Sequence, residues 1–219
     1  TAGRGRLGRD FYSPPDTGLY LSLLLRPRQM QPQHATRITT MAALAACEAI
    51  EAVTQQQPQI KWVNDVYLDG RKICGILAEA ITDATLGTIA HVIIGIGVNV
   101  STECFPEELA GSAASLGAPE LSREQLIAAI AAPLLDGSLL ANMPETMAFY
   151  RAHSLVIGKD VRYRLPDGAF IQAKALAVDD EGGLIVAHAD GSETVLRTGE
   201  ITLRLTDAPP AEAAGADAL

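Results

Sequence analysis

The stretch from His91 to Val100 constrains this chain most. Successive side chains of a strand point to opposite faces, so Val92, Ile94, Ile96, Val98 and Val100 share one wholly apolar face, which belongs against a core. The other face carries His91, Ile93, Gly95, Gly97 and Asn99. Two glycines in register strip that face of side chains and leave Asn99 projecting at its end. Glycine weakens a strand, and in a strand interior it marks a bulge or a close approach by ligand or backbone. Either a ligand approaches the cleared face or a helix packs tightly on it. The amide beside the cleared space favours the ligand.

Other segments supply neighbours for this strand. Gly18 to Arg26 reads as a buried strand stopped by Pro27. Gln33 to Thr54 reads as a helix, with Ile38, Met41, Ala45, Ala49 and Val53 on one face. Ile60 to Trp62 is a short strand and Asn64-Asp65 a turn, after which Val66–Leu68 and Lys72–Ala80 form a hairpin across Asp69-Gly70. Ser122-Arg-Glu-Gln125 is a capping box for a helix expected to run to about Leu140. A second helix follows Pro144 and ends near His153. Beyond Leu155 come five short strands separated by turns (Asp160–Leu165, Ala169–Val178, Leu184–Ala189, Thr194–Leu196 and Ile201–Leu205), the pattern of a small barrel. The expected division is residues 1–154, a barrel over 155–206, and a disordered Ala- and Pro-rich tail over 207–219.

Composition narrows the function. With 17 basic and 26 acidic residues the net charge is −9, which argues against general nucleic-acid binding. The three cysteines are widely spaced, with no Cys-x-x-Cys pair, as expected for free thiols in a reducing cytoplasm. No stretch reads as long and uninterrupted enough to span a bilayer. Because the sequence opens at Thr1 without an initiator Met, a preceding segment is expected.

Chemistry concentrates near the beginning. In Thr1-Ala-Gly-Arg-Gly-Arg-Leu-Gly-Arg9, Gly3, Gly5 and Gly8 let a ligand approach the main chain, and Arg4, Arg6 and Arg9 supply three positive charges. Arginine grips carboxylate or phosphate with a planar fork. The loop abuts an apolar strand rather than a polar tail, so it reads as an ordered anion site. Lys61-Trp-Val-Asn-Asp65 sets a cation, an amide and a carboxylate at a strand end, where sites collect. Alone, a turn Asp and a solvated Lys would explain it equally well. Lys72-Ile-Cys-Gly75 puts an unusual glycine inside a strand. No Walker-type phosphate loop, dinucleotide fingerprint, nucleophile elbow or metal-spaced histidine set is present, so any catalysis must run on positioning and electrostatics.

Four ordered blocks resemble biotin protein ligases: Gly3-Arg-Gly-Arg-Leu-Gly-Arg9 with Ser13-Pro-Pro15 and Leu19-Tyr-Leu-Ser22; Lys61-Trp-Val-Asn-Asp65; Lys72-Ile-Cys-Gly-Ile-Leu-Ala-Glu79; and Gly95-Ile-Gly-Val-Asn99. The resemblance runs through the terminal barrel to Arg204. It implies an α+β, mixed-sheet biotin/lipoate ligase-like (class II synthetase-like) catalytic domain followed by an SH3-like barrel. It also implies a reaction, in which ATP with Mg²⁺ activates biotin to biotinyl-5′-AMP and a lysine of a biotin carboxyl carrier protein then takes the biotinyl group. By resemblance, Gly3, Arg4, Gly5, Arg6, Lys72 and Gly75 contact biotin or the adenylate linkage. Arg9, Phe11, Lys61, Asn64, Asn99 and Arg204 belong to the nucleotide side. Arg6, Lys72 and Asp65 are the catalytic candidates, with Asp65 also a candidate Mg²⁺ contact. Where the family has Pro, a second Arg and an adenine-stacking Trp, this chain has Val63, Leu7 and Phe11. The family's upstream Ser/Thr-Ser/Thr-Asn segment, which bonds the ureido ring, would precede Thr1. A homodimer is compatible with the resemblance. The rivals are a lipoate-type ligase, a biotin-sensing repressor with an upstream DNA-binding domain, and a non-catalytic biotin-binding module.

Overall fold

The computed structural model describes residues 3–27, 29–165, 167–197 and 201–203. A short antiparallel ribbon of β1 (Gly3–Arg4) and β2 (Asp10–Phe11) encloses a 3-10 helical turn at Arg6–Gly8. β3 (Gly18–Leu25) follows. Pro32–His34 then form a tight turn, so α1 (Ala35–Thr54) starts two residues later than its periodicity suggests. β4 (Gln59–Lys61), β5 (Asp65–Leu68), β6 (Arg71–Thr82) and β7 (Ile89–Asn99) complete an antiparallel sheet in the order β3-β7-β6-β5-β4. The β5–β6 hairpin turns at Asp69 and Gly70, both at positive φ (49° and 75°), the geometry that favours this dipeptide.

The apolar side of β7 is buried as its alternation requires: Val92, Ile94, Ile96 and Val98 are at most 2% exposed. Register places Leu19, Leu21 and Leu23 of β3 and Cys74, Ile76 and Ala78 of β6 beside them. α1 packs against these strands and buries Ile38, Met41, Ala42, Ala45 and Ala49. Its alanines allow close approach, and each buried Ile or Leu contributes about 1.5–3 kcal/mol.

The remaining helices are α2 (Glu107–Ala110), α3 (Arg123–Leu135), α4 (Ser138–Ala141) and α5 (Met143–Ala152), of which α3, α4 and α5 pack on α1. Ser122 caps α3 as expected, its hydroxyl accepting from Gln125 N at 3.2 Å. That helix ends at Leu135 rather than Leu140, because Asp136 and Gly137 break it. The stretch Arg123–Ala141 is, after all, long and apolar enough by length and composition to cross a membrane. Here it is divided between α3 and α4, and α3 buries Leu126, Ile130 and Leu134.

A second five-stranded antiparallel sheet is built from β8 (Asp160–Arg164), β9 (Phe170–Val178), β10 (Leu184–Ala187), β11 (Glu193–Leu196) and β12 (Ile201–Leu203), in the order β11-β10-β9-β8-β12. Alternate residues Val161, Tyr163, Ala173, Ala175, Leu184 and Val186 form its interior. The α+β class is thus as expected, with parallel contacts at two isolated bridges, Ile60–Ser154 and Lys72–Ala113. The tail expected over 207–219 lies outside the described residues.

Candidate active site

The face of the large sheet opposite α1 carries the site. Directly opposed residues of an antiparallel pair share a face. Register therefore lines up Tyr20, Gly97, Gly75, Asp65 and Lys61 in one row across all five strands. The adjoining row is Ser22, Gly95 and Leu77. Two glycines at the centre of the first row leave a trough, and no helix fills it. The ring of Phe11 does. A Cβ added to Gly97 would lie 2.6 Å from Phe11 Cε1, and one added to Gly75 would lie 3.1 Å from Phe11 Cε2. Tyr20 meets the Phe11 ring edge-on at a centroid distance of 6.3 Å. Gly95 has no such cover, since its added Cβ would find nothing nearer than Leu77 O at 3.8 Å.

Phe11 reaches the trough because β2 pairs with β1, placing Phe11 opposite Gly3. Gly3 N donates to Ser13 Oγ at 3.0 Å and Gly5 N to Arg9 O at 2.7 Å. The arginine–glycine segment is thus an ordered loop laid over the sheet, as its sequence suggested. Between loop and sheet is a cavity of about 430 Å³, floored by Gly75, Gly95 and Gly97 and bordered by Arg4, Arg6 and Lys72. A second cavity, of about 270 Å³, takes in Arg9, Lys61, Asp65 and Ile201 of the small β domain. Arg6, Phe11, Asn64 and Lys72 line both cavities.

The cations are held by neighbours from one short segment. Arg6 Nη1 donates to Asn64 Oδ1 at 3.0 Å, and Asn64 Nδ2 in turn donates to Ile76 O at 2.9 Å. Lys72 Nζ is 2.7 Å from Asp65 Oδ1 and 5.9 Å from the Phe11 centroid. Lys61 Nζ lies 5.3 Å from the Tyr67 centroid. Burial, and secondarily the Asp65 charge, push the Tyr67 phenol up to about 12, so it stays neutral, and its oxygen accepts from Lys61 Nζ at 3.4 Å.

Of the residues singled out in the sequence, the loop, the Lys61–Asp65 segment, Lys72 and Gly75 converge on these cavities. Asn99 does not line either one. It is 4% exposed, with Nδ2 donating to Ala114 O at 2.9 Å and a buried Oδ1 that has no hydrogen-bond partner. Arg204 lies outside the described residues. Tyr20, Ser22, Leu77 and Glu79 also line the larger cavity; they lie within the motif blocks, but the sequence alone does not assign them to the site. The alternation within β3 and β6 marks them only once the register with β7 is known.

Residues 1–99 match the biotin/lipoate A/B protein ligase family, and residues 156–204 match the biotin protein ligase C-terminal domain. A biotin–[acetyl-CoA-carboxylase] ligase of Mycobacterium tuberculosis is 33% identical over 211 residues, covering 92% of this chain and 75% of the relative. The chain belongs to the biotin protein ligase family. A bifunctional ligase/repressor BirA of Bacillus spizizenii is 35% identical over 203 residues, and the match spans 89% of this chain but 61% of that relative's length. Among solved structures, a biotin protein ligase from Aquifex aeolicus in complex with biotin and ATP superposes with a TM-score of 0.73 at 27% identity, covering 92% of this chain and 84% of that one. The family fold thus extends through both sheets.

Proposed function

We propose that this chain carries the catalytic apparatus of an ATP-dependent, AMP-forming biotin ligase, with residues 1–154 as the catalytic unit and 155–206 as a small barrel closing its nucleotide end. The observation that carries the reading is the pair of joined cavities. One has a glycine floor suited to an apolar body and a cationic rim suited to a carboxylate; the other adds further cations and a carboxylate at the edge of the small domain.

The biotin carboxylate attacks the α-phosphorus of ATP, forming an O–P bond as pyrophosphate leaves. A carrier lysine amine then attacks the acyl carbon of biotinyl-5′-AMP and AMP leaves. Both reactants of the first step are anions, so it needs fixed positive charge where they meet. Arg4 and Arg6 with the main chain at Gly3 and Gly5 serve the biotin side, and Lys72 above Gly75 faces the developing acyl–phosphate linkage. On arrival of ligand, Lys72 exchanges Asp65 for phosphate oxygen. Asp65 is then free to accept a hydrogen bond from the incoming amine. Phe11 offers an aromatic face to adenine, and Arg9, Lys61 and Asn64 serve the phosphates.

Mg²⁺ fits as a companion of ATP. Among the described residues no three His, Cys, Asp or Glu side chains converge to hold a metal. A single Asp65 contact plus substrate phosphates is the usual way Mg²⁺ is held. When bound, the ion neutralises phosphate charge.

The repressor activity in the Bacillus relative's name belongs to a protein of which this chain matches 61%, and it is not assigned to residues 1–219. Biotin-dependent exchange of labelled pyrophosphate into ATP, followed by mass gain of a biotin carrier domain, tests the proposal. Exchange supported by lipoate instead of biotin, or biotin binding without exchange, would reject it.

A further inference from the structure

Besides Ile201 at the second cavity, the small β domain meets the catalytic unit through the turn Asp179 to Gly183, between β9 and β10. Asp179 organises it: its Oδ1 accepts from Glu181 N and Gly183 N at 2.9 and 2.8 Å, and Arg197 grips the same carboxylate through two nitrogens. The turn then meets the catalytic unit at three places. Glu181 pairs with Arg37 and His34 at the start of α1. Arg151 donates to Val178 O at 2.9 Å and to Asp180 Oδ1 at 3.0 Å. Trp62, 3% exposed, donates its Nε1–H to Gly182 O at 2.8 Å. Gly182 sits at φ +82°, and an added Cβ there would come within 3.0 Å of Thr40 Cγ2, so the turn presses tightly on α1.

Trp62 stands two residues before Asn64, the partner of Arg6, and three before Asp65, the partner of Lys72. We infer that the Asp179–Gly183 turn is a fixed stop that sets the Lys61–Asp65 segment, with Trp62 as the positioning residue for the nucleotide half of the reaction. This rests on the ligase reading above. Tyr150 OH of α5, donating to Val63 O, and Asn64 Nδ2, donating to Ile76 O of β6, tether the segment within its own domain. The indole N–H bonds the segment to the other domain. The glycine floor of β3, β6 and β7 meets the segment through Asn64, which bonds Arg6 and Ile76, so the effect on biotin should be smaller than the effect on ATP.

Two variants test it. Trp62→Phe keeps an aromatic ring and removes the donor. The expected result is a fall of about tenfold in kcat/KM for ATP in biotin-dependent pyrophosphate exchange, with biotin Kd changed by less than about twofold, at a temperature where circular dichroism shows the variant folded. An unchanged kcat/KM for ATP overturns the inference, as does an equal loss in biotin affinity. Glu181→Gln leaves the catalytic unit untouched and loosens the turn. Because Trp62 is the chain's single tryptophan, acrylamide quenching of its fluorescence reads the contact directly and should rise by about twofold. Quenching equal to wild type overturns the stop. This second readout needs no activity, so a wild-type protein without exchange would reject the ligase reading while quenching still decides the contact.

Discussion

Replacing Gly97 with alanine puts one methyl group against a ring whose position is known. The new Cβ would stand 2.6, 2.9 and 3.1 Å from Phe11 Cε1, Cζ and Cδ1, whereas carbon atoms rest at about 3.5–4.0 Å. The ring must retreat by about 1 Å to restore that separation. Overpacking a closed core costs about 1–3 kcal/mol. Phe11 is only half-buried and can yield, so the lower end, about 1 kcal/mol, is expected, or about 2–4 °C in Tm for a chain of this size. The retreat also moves β2, and with it Gly3 and Arg4 across the ribbon, so biotin affinity should fall more than stability does. Gly95→Ala is the contrast: its methyl finds nothing nearer than 3.8 Å, so Tm should hold while the methyl intrudes into the cavity and weakens binding. The decisive assay is a double-mutant cycle of melting curves for Gly97→Ala, Phe11→Ala, the pair and wild type. With the ring gone the methyl has room, so Gly97→Ala should cost close to nothing in the Phe11→Ala background. An equal cost in both backgrounds would refute the account of what the cleared face holds.

Lys72→Met should slow biotin-dependent pyrophosphate exchange by about 10²–10³-fold. Its pair with Asp65 is part-exposed, so Tm should move little; a large Tm loss with normal exchange would make Lys72 a structural residue. Thiol labelling of the native protein should stop at Cys104, which is exposed, because Cys47 and Cys74 are buried. Burial pushes the Cys47 thiol up to about 12 and that of Cys74 higher, and all three should react once the chain is denatured. Burial tends to raise the Glu181 carboxyl, but hydrogen bonds from Arg37 and His34 outweigh it and leave it below its ordinary value of 4.5. A depressed carboxyl stabilises the fold above its unfolded pKa and stops doing so as pH falls through the folded one. The Tm difference between wild type and Glu181→Gln should therefore persist at neutral pH and close at pH values below about 4.5.

What could be read in advance followed from local rules. The alternation of β7, the Asp69-Gly70 hairpin and the cap at Ser122 each rest on residues within a few positions of one another, and each formed where expected. The convergence of loop, Lys61–Asp65 segment and Lys72 became legible through four ordered motifs rather than through spacing. Other features need the third dimension. Phe11 stands far along the chain from Gly75 and Gly97, and its docking depends on the β1–β2 pairing. The partnership of Lys72 with Asp65 depends on hairpin register, which shifts at Val66/Tyr67. Trp62 finds Gly182 across 120 positions of chain, beyond any pattern of turns or periodicity. The break of α3 has a local signal, Asp136-Gly137, which the apolar run on either side masks.

The aromatic cover over Gly75 and Gly97 also shapes the heat of binding. Burying apolar surface lowers heat capacity, and this is the most dependable calorimetric mark of such contacts. Here part of that surface is dry before any ligand arrives, because the Phe11 ring already shields the glycine backbone and the edge of Tyr20. A ligand that lifts the ring replaces one apolar contact with another. Calorimetry over a range of temperatures should then give a heat-capacity change smaller in magnitude than the ligand's own apolar area would suggest. In Phe11→Ala, where the trough is wet, that magnitude should grow even as affinity declines.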